Sequence, residues 1–185
     1  MVGPQIEAFC DKNGLLRLSV AELIAYRQVR EKLVERVGIF PVRTDIGELQ
    51  TCAYRTAFDS VLHFAFLHGA IGDGRDVPVR LHRCDIVTDI FGQGTIPKVL
   101  QHFKEDGRGV FVYLRDGAAG VPLNFAVTER AASEDSRAHE WREIGLGSQI
   151  LKDLGVSSIR LRTDNRRTYV GLSGFGIEIS SFERI

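Results

Sequence analysis

Several residues that could perform acid–base chemistry or bind a metal lie between residues 78 and 92. This stretch begins as a strand and continues into a polar loop that carries acidic side chains. His82 could transfer a proton, because imidazole titrates near neutral pH. Cys84 and Asp85 have metal-binding side chains, but a catalytic zinc needs three protein ligands and an open position for water. The stretch therefore predicts acid–base chemistry by His82 with Arg80 beside it, and it falls short of a dedicated zinc site.

Two later segments supply further candidates for a binding or catalytic site. Glu140 and Arg142 precede an apolar helical pattern, where they could act on a ligand or could be the charged first turn of that helix. Thr163 and Asn165 follow a predicted strand, and such a corner can cap a helix and accept an anion. Arg167 could add positive charge at the same corner. These residues extend the candidate site beyond the first stretch.

The composition is that of an ordinary soluble globular protein. The chain has 185 residues, of which 44% are hydrophobic and 26% are charged, which suffices for one domain with a substantial core. Lys plus Arg and Asp plus Glu both total 24, so the charge indicates neither a nucleic-acid nor a membrane partner. No apolar run approaches the roughly 20 residues of a membrane-spanning helix, and residues 1–5 lack the pattern of a secretion signal. Three scattered cysteines are typical of reduced thiols, so we expect a cytoplasmic location.

The order of secondary-structure signals predicts a mixed α/β fold. Strand patterns with short turns fill the first half and predict antiparallel or mixed strands, whereas strands and helices alternate after residue 91. Predicted strands cover residues 38–43, 47–55, 60–68, 77–81, 110–114, 158–162 and 177–181. Predicted helices cover residues 20–36, 96–105 and 142–154. We therefore expect mixed β-sheet layers with flanking helices.

The stretch that ends at Gly92 resembles the first active-site segment of GTP cyclohydrolase II. The two sequences align without a gap and share Arg80, His82, Asp89, Phe91 and Gly92. The three cysteines that hold zinc in that family fall on Asp85, Ile96 and Lys98. The resemblance implies the GTP cyclohydrolase II fold, whereas these three residues predict that the zinc, and with it any metal cofactor, is absent.

Later segments retain further parts of the family pattern. The resemblance makes Arg142 the counterpart of a proposed nucleophile and Glu140 the counterpart of its base. Gln101 falls on a substrate-contacting glutamine, although it could equally be an exposed helix residue. Thr163 and Asn165 are retained from a motif whose lysine contacts the nucleotide. The predicted substrate-binding residues are Arg80, Gln101, Arg115, Thr163, Asn165 and Arg167.

Other parts of the family pattern are missing. A glutamate and an arginine of the substrate-binding loop are replaced by Gly117 and Ala119, and the nucleotide-contacting lysine is replaced by Thr168. The segment between Leu123 and Arg142 is shorter than in the family and contains no tyrosine. Within it, residues 128–137 could form a lid or an unstructured surface loop. The catalytic set of the family is therefore incomplete here.

The first 36 residues resemble the end of a different enzyme. The pattern from Phe9 to Arg27 is similar to the tail of dihydroxybutanone phosphate synthase, which many bacteria fuse ahead of GTP cyclohydrolase II. We therefore divide the chain into residues 1–36, a relic leader that packs as one helix or serves as a linker, and residues 37–185, a GTP cyclohydrolase II-like domain.

Three functions fit these observations. The first is a repurposed enzyme that acts without a metal on a small molecule other than GTP, which could be nucleotide-like. It would belong to a specialised biosynthetic pathway and use His82 or Glu140 for acid–base chemistry. The second is a non-catalytic paralogue that binds a nucleotide or a partner protein. The third is a genuine GTP cyclohydrolase II with an unorthodox metal site built from His82, Cys84, Asp85 and Asp89. By resemblance alone, we expect a homodimer.

Overall fold

The computed structural model describes residues 3–18, 26, 30–56, 60–92, 94–115, 144–164, 172 and 175–185, which form one seven-stranded sheet with flanking helices. The strands are β1 (Val34–Thr44), β2 (Gly47–Thr56), β3 (His63–His68), β4 (Val77–Arg83), β5 (Gly109–Leu114), β6 (Ser158–Arg162) and β7 (Glu178–Glu183). The helices are α1 (Gly3–Asn13), α2 (Ile86–Phe91), α3 (Thr95–Asp106) and α4, of which residues 144–153 are described. Within these ranges, no helix is long and apolar enough to cross a membrane.

The sheet has an antiparallel half and a parallel half, in the order β1-β2-β3-β5-β4-β6-β7. The pairs β1–β2, β2–β3 and β3–β5 are antiparallel, and a two-residue turn at residues 45–46 joins β1 to β2. The pairs β4–β5, β4–β6 and β6–β7 are parallel. Parallel neighbours require long crossover connections. The described helices α2 and α3 lie between β4 and β5, and α4 lies between β5 and β6. The predicted mixed α/β fold is confirmed.

The two faces of the sheet bury different side chains. Alternation along β4 directs Val79 and Leu81 to one face, where they join a large apolar cluster that includes Ile150 of α4. Phe111 of β5 lies on the opposite face and packs with Phe103 of α3 in a second, smaller cluster. Each face is therefore covered by a helix from a different crossover connection.

The strands β4 and β6 separate at their carboxyl ends. Their pairing extends to Val79 and Leu161, whereas β4 continues to Arg83. The connection that follows β4 supplies α3 to the Phe111 face, whereas Leu172, which follows β6, belongs to the large cluster on the other face. In open α/β sheets, a crevice forms outside the carboxyl ends of two such strands, and ligands bind there.

Four charged residues connect the end of α3 to the last two strands. Arg162 lies 2.8 Å from Asp106 and 2.9 Å from Glu183, measured between guanidinium nitrogen and carboxylate oxygen. Arg160 contacts the same two carboxylates at 3.3 Å and 2.9 Å. Burial acts to raise the pKa of Asp106, but hydrogen bonds from the two arginines outweigh it and the pKa is lowered. The group fixes α3 relative to β6 and β7.

Three local predictions differ from the structure. The predicted helix over residues 20–36 is wrong at its end, because β1 begins at Val34, which is buried in the large cluster. Of its earlier residues, 26 and 30 are helical, and 19–25 and 27–29 lie outside the described residues. The helical spacing in the sequence begins at residue 20, so α1 lies before it, within the segment for which one helix or a linker was expected. The polar loop after β4 contains the six-residue helix α2.

The start of β1 and the residues just before it are attached to α4 by two side chains. The Asp153 carboxylate accepts hydrogen bonds from Arg36 Nη2 at 2.6 Å and from the Tyr54 hydroxyl at 3.0 Å, and it lies 3.3 Å from Lys32 Nζ. Gln149 accepts from the backbone N–H of residue 33 and donates to the carbonyl of residue 31. Residues 31–36 are thereby held against the domain.

Candidate functional site

His82 lies near the end of β4 on the same face of the sheet as Phe111. Its ring stacks on the ring of Tyr113, with centroids 5.6 Å apart and an interplanar angle of 12°. The register of β4 and β5 explains this contact, because it pairs His82 with Tyr113. The His82 residue is only 8% exposed. Two neighbouring strands therefore hold the imidazole in one orientation.

The carboxylate of Asp89 accepts hydrogen bonds from both of these residues. His82 Nε2 lies 2.7 Å from one carboxylate oxygen, and the Tyr113 hydroxyl donates to the other at 2.7 Å. The backbone N–H of Asp85 donates to that second oxygen at 3.2 Å. A carboxylate can only accept, so we infer that Nε2 carries the proton and that Nδ1 holds a lone pair. Nδ1 is buried, and no hydrogen bond reaches it from the described residues.

The short helix α2 positions Asp89. Its N-cap is Asp85, whose side chain accepts from the N–H groups of Val87 and Thr88 and from the Thr88 hydroxyl. These bonds hold the pKa of the Asp85 carboxyl below its ordinary value. The capped turn fixes the start of the helix, and the N–H of Asp89 donates to the Asp85 carbonyl at 2.7 Å. The position of Asp89 thus depends on Asp85.

The environment favours neutral forms of His82 and Tyr113. Burial lowers the pKa of His82, although the hydrogen bond and the negative charge of Asp89 act in the opposite direction. Burial also raises the pKa of Tyr113, and its hydrogen bonds to Cys84 and Asp89 raise it further. At neutral pH, this arrangement presents a neutral imidazole beside a phenol that donates to a carboxylate. An imidazole in this state can accept a proton.

Cys84 belongs to the same hydrogen-bonded group. Its sulfur lies 3.0 Å from the Tyr113 hydroxyl, and its backbone N–H donates to the carbonyl of Leu114 at 2.7 Å. The residue is buried. The thiol therefore completes a continuous polar group that joins the ends of β4 and β5 to α2.

Arg80 spans the gap between β4 and β6. Its Nη1 donates to the carbonyl of Arg162 at 3.0 Å, beyond the last paired residues of the two strands. Its Nε is buried and has no hydrogen-bond partner in the described part of the chain. Thr163 is buried beside this point, and its N–H donates to the carbonyl of Glu183 at 2.8 Å. The structure thus brings Arg80 and Thr163 to the crevice where β4 and β6 separate.

Other predicted site residues occupy different places. Gln101 is exposed on α3, where its side-chain nitrogen lies 3.3 Å from Glu105, and it lines a cavity of about 590 Å³ beside the β1–β2 turn. Arg115 follows β5, and its N–H donates to Nδ1 of His63 at 3.1 Å. The remaining predictions lie outside the described residues: Glu140, Arg142, Asn165, Arg167 and residues 128–137.

Comparison with known proteins identifies the family. The family model described as GTP cyclohydrolase II matches residues 35–184. The chain belongs to the GTP cyclohydrolase II family. It is 39% identical, over 188 residues, to the monofunctional riboflavin biosynthesis protein RIBA 2, chloroplastic, of Arabidopsis thaliana, a match that covers 96% of this chain and 39% of that protein. It is 35% identical to the riboflavin biosynthesis protein RibBA of Rhodococcus jostii, with 95% of this chain and 48% of that protein covered.

A solved structure shares the fold. RibBX from A. baumannii, described as a two-domain 3,4-dihydroxy-2-butanone 4-phosphate synthase, superposes with a TM-score of 0.68 and 25% identity over 95% of this chain and 48% of that chain. The chain therefore spans less than half the length of these relatives. The resemblance to GTP cyclohydrolase II that the sequence motifs indicated is confirmed.

The residues at the three zinc-ligand positions of GTP cyclohydrolase II do not fit a zinc ion. The side chain of Asp85 is occupied as the N-cap of α2. Ile96 has no donor atom and packs against the cluster of Phe103 and Phe111. Lys98 is exposed on α3. In the described ranges, no three His, Cys, Asp or Glu side chains are grouped so as to hold a metal.

The sequence patterns located His82 and Arg80 but missed the hydrogen-bonding role of Asp89 and the participation of Tyr113. Tyr113 lies within an apolar strand pattern, where an aromatic side chain is typical of the core. The observed parallel register pairs Val79 with Val110 and so places Tyr113 opposite His82. Pairing the predicted strands 77–81 and 110–114 end to end would instead place Tyr113 opposite Arg80, so the predicted bounds do not give this contact.

Proposed function

We propose that this chain is a cyclohydrolase II-type domain that holds no catalytic zinc and does not open the ring of GTP. The observation that carries this proposal is the state of the three ligand positions: a carboxylate used as a helix cap, an isoleucine in an apolar cluster and an exposed lysine. The family reaction depends on a water molecule that zinc activates, because the metal lowers the pKa of its bound water to about 7. Without three ligands, the side chains named here supply no equivalent activation.

The first candidate activity is metal-independent acid–base chemistry in the crevice at the ends of β4 and β6. His82 favours it, because Asp89 fixes the imidazole with its Nδ1 lone pair unpartnered by the described residues. Arg80, half-buried at the same edge, offers positive charge to a small anionic substrate. Glu140 and Arg142 would complete the site as the family resemblance implies. A nucleotide-like substrate and a specialised biosynthetic pathway remain predictions, as do the homodimer and the cytoplasmic location.

The second candidate is a non-catalytic domain that acts beside another enzyme. One comparison favours it: RibBX is described as a two-domain 3,4-dihydroxy-2-butanone 4-phosphate synthase. A domain of this fold therefore occurs in a protein whose description names a different activity. In this case, the partly buried group of His82, Asp89 and Tyr113 would stabilise the ends of β4 and β5.

Zinc content and formate release test the proposal directly. Freshly purified protein, prepared without chelators, is analysed for metals and then incubated with GTP in the presence and absence of added zinc. We expect far less than one zinc ion per chain and no formate above the protein-free control. Stoichiometric zinc, or formate release, would overturn the proposal and support a metal site built from His82, Cys84, Asp85 and Asp89. The variant Cys84→Ser would then locate that metal.

A ligand screen followed by product analysis separates the two candidates. Compounds that raise the melting temperature are incubated with the protein, and the mixture is examined by mass spectrometry, because binding alone does not establish turnover. The acid–base candidate predicts conversion that is lost in His82→Gln and retained in the matched control His102→Gln on α3. The second candidate predicts binding, or no binding, without conversion.

A further inference from the structure

We infer that the cavity between α3 and the β1–β2 turn binds a small zwitterion, of the class of an amino acid with a large apolar side chain. The cavity has a volume of about 590 Å³, which is within the range of small-molecule sites. The inference goes beyond the proposed function, because it concerns a different place in the fold and holds whether or not the crevice at β4 and β6 is catalytic. The charges and the apolar groups around the cavity together select the ligand.

The cavity lies apart from the crevice. Residues 44–46 form one wall, and residues 97, 98 and 100–102 of α3 form the other. In the order of the sheet, β3 and β5 stand between β2 and β4, so the β1–β2 hairpin and the crevice belong to different parts of the domain. The residues that line the cavity are also distinct from the hydrogen-bonded group of His82, Asp89 and Tyr113. The two sites can therefore be tested separately.

The helical spacing of α3 explains why polar side chains meet at the cavity. Lys98 and His102 lie four residues apart, so they are on the same side of the helix. Val99 and Phe103 are also four residues apart, and they are buried in the smaller apolar cluster against the sheet. The amphipathic pattern of α3 thus buries one side of the helix and leaves a cationic and a titratable side chain on the side that lines the cavity.

Two opposite charges border the cavity. Lys98 is exposed on α3, Asp45 is exposed in the turn, and both line the cavity. Neither side chain forms an ion pair or a hydrogen bond with any residue that the structure describes. A ligand with one negative and one positive group would satisfy both charges. An anion alone would be repelled by Asp45, and a cation alone would be repelled by Lys98. The charges therefore favour a zwitterion.

Glu105 orients two further polar side chains at the wall of the cavity. Its carboxylate oxygens lie 3.3 Å from Nε2 of Gln101 and 3.4 Å from Nδ1 of His102. These contacts occupy the amide nitrogen and one ring nitrogen, so the amide oxygen of Gln101 and Nε2 of His102 remain available. An ammonium group can donate to the amide oxygen, and a carboxylate can accept from a protonated imidazole. Both groups of a zwitterion thus find a second polar contact.

Apolar groups line the rest of the cavity. Ile46 contributes from the turn, and Pro97 and Leu100 contribute from α3. Leu100 also packs against the buried cluster between α3 and β5, which fixes its position. Such groups bury an aliphatic or aromatic side chain of a ligand, whereas they offer nothing to a phosphate chain. The ligand class is therefore a zwitterion with a large apolar side chain, which includes leucine, phenylalanine and tryptophan.

The bonds of the β1–β2 turn hold its wall of the cavity in place. Thr44 pairs with Gly47 in the sheet, and the Thr44 hydroxyl donates to the Gly47 carbonyl at 2.8 Å. Gly47 has a φ of 111°, a conformation that glycine adopts without strain. Asp45 and Ile46 are thus carried by a well-defined two-residue turn. A wall that is formed in advance lowers the cost of ordering the site when a ligand binds.

Titration with three related compounds tests the inference. Phenylalanine carries both charges, phenylpropionate lacks the ammonium group and phenylethylamine lacks the carboxylate. Each is added to the full chain, and NMR chemical shifts of the backbone N–H groups in residues 44–47 and 97–102 report binding. We expect phenylalanine, leucine or tryptophan to bind saturably with a Kd below about 10 mM. The two compounds with a single charge should bind at least about fivefold more weakly than phenylalanine.

Variants that remove one charge assign the two contacts. Lys98→Gln should weaken the binding of phenylalanine and phenylpropionate but not of phenylethylamine. Asp45→Asn should weaken the binding of phenylalanine and phenylethylamine but not of phenylpropionate. The matched controls are Lys104→Gln, on α3, and Glu48→Gln, at the start of β2, which are exposed and do not line the cavity. Both should bind all three compounds like the parent chain. All four melting temperatures should stay within about 2 °C of the parent, because the changes are at the surface.

Several results would overturn the inference. They are the absence of saturable binding of phenylalanine, leucine and tryptophan below about 10 mM, tighter binding of phenylpropionate or phenylethylamine than of phenylalanine, and equal effects of the charge variants and their controls. Shifts that map to the ends of β4 and β6 instead of residues 44–47 and 97–102 would also overturn it. None of these results bears on zinc content or formate release, so the two proposals fail independently.

Discussion

Nε2 of His82 lies 2.7 Å from Oδ1 of Asp89, and this contact joins β4 to the helix that follows it. Asp89 follows His82 by seven positions in the sequence. The helix α2 reverses the direction of the chain, so the Asp89 carboxylate faces β4. Tyr113 donates to the second oxygen from the neighbouring strand. The carboxylate therefore receives three donors, one each from β4, β5 and the start of α2.

Replacement of Asp89 by Asn should lower the pKa of His82 further. The hydrogen bond and the charge of Asp89 both raise that pKa, and they act against burial. The amide NH2 group would also face a donor from which it cannot accept a hydrogen bond, so the free energy of unfolding should fall by about 1–3 kcal/mol. Histidine NMR titration and urea denaturation measure the two effects. Asp45→Asn, in the exposed β1–β2 turn, is the control and should change neither. A rise in the His82 pKa would contradict this account.

Stability should fall as the pH decreases through about 6.5, and His82 should account for part of the fall. The pKa of His82 is lowered in the folded state, so the unfolded chain takes up a proton first and is favoured at lower pH. The contribution is complete above the pKa of the unfolded state and declines below it. His82→Gln should flatten this part of the stability curve measured by urea denaturation. The control variant His102→Gln replaces a histidine on α3 outside this hydrogen-bonded group, and an equal effect of both variants would refute the assignment.

The local pattern of the sequence was sufficient for most strands but not for their order. Residues 158–162 are a strand as predicted, and α3 extends the predicted helix by one residue at each end. In the strand, apolar side chains alternate with polar ones, and in the helix they recur at helical spacing, so each pattern is that of an element with one buried face. The placement of β4 between β5 and β6 depends on which face each crossover covers. The order of the strands is determined by contacts between distant segments, and a short sequence pattern contains no information about such contacts.

The errors at β1 and at the candidate site have the same origin. In the sequence, Glu35 and Arg36 follow the pattern of a charged helix surface, but in the structure Glu35 pairs with Arg55 on β2 and Arg36 pairs with Asp153 on α4. Their partners lie far along the chain and leave no local signal, so the helical spacing alone determines the prediction for these two residues. Likewise, the sequence pattern identifies Tyr113 only as part of an apolar strand, and the register of β4 and β5 is what places it against His82. Sequence patterns identified the groups, whereas the sheet determined their partners.

Asp153→Asn should loosen the contact between α4 and the start of β1. Burial acts to raise the pKa of Asp153, but hydrogen bonds from Arg36 and Tyr54 outweigh it, so the group is ionised and well paired. Loss of the charge should lower the free energy of unfolding by about 1–3 kcal/mol and speed hydrogen exchange in residues 31–36. The control Glu35→Gln removes a more exposed ion pair and should cost about 0.5 kcal/mol or less. Equal losses of unfolding free energy in the two variants would show that the Asp153 contacts stabilise the fold no more than an exposed ion pair does.

The lowered pKa of Asp153 also fixes the pH at which this attachment fails. A carboxyl group whose pKa is depressed in the folded state stabilises that state above the pKa of the unfolded chain, about 3.9. The stabilisation is lost as the pH falls through the folded value. The difference in stability between the parent and Asp153→Asn should therefore be constant near neutrality and disappear in strong acid. A difference that persists in strong acid would have to come from the amide itself.

Gly109→Ala should destabilise the packing of α3 on the sheet. A Cβ at this position would lie 2.2 Å from the ring of Phe103, at the atom where the ring joins its side chain, so a flexible tip cannot move aside. Phe103 is fully buried between Val99 and Phe111, and the expected loss is about 1–3 kcal/mol. Gly38→Ala is the control, because a Cβ there would meet its nearest neighbour, Ala53, at 3.9 Å.

A double-mutant cycle shows whether Phe103 is the cause of that loss. Phe103→Leu removes part of the ring and should cost stability by itself, since it leaves space beside Val99. In the double variant, the alanine methyl group enters that space, so the combined loss should be smaller than the sum of the two single losses. Urea denaturation of the four proteins measures the coupling. Additive losses would place the strain of Gly109→Ala elsewhere, for example in the backbone of β5.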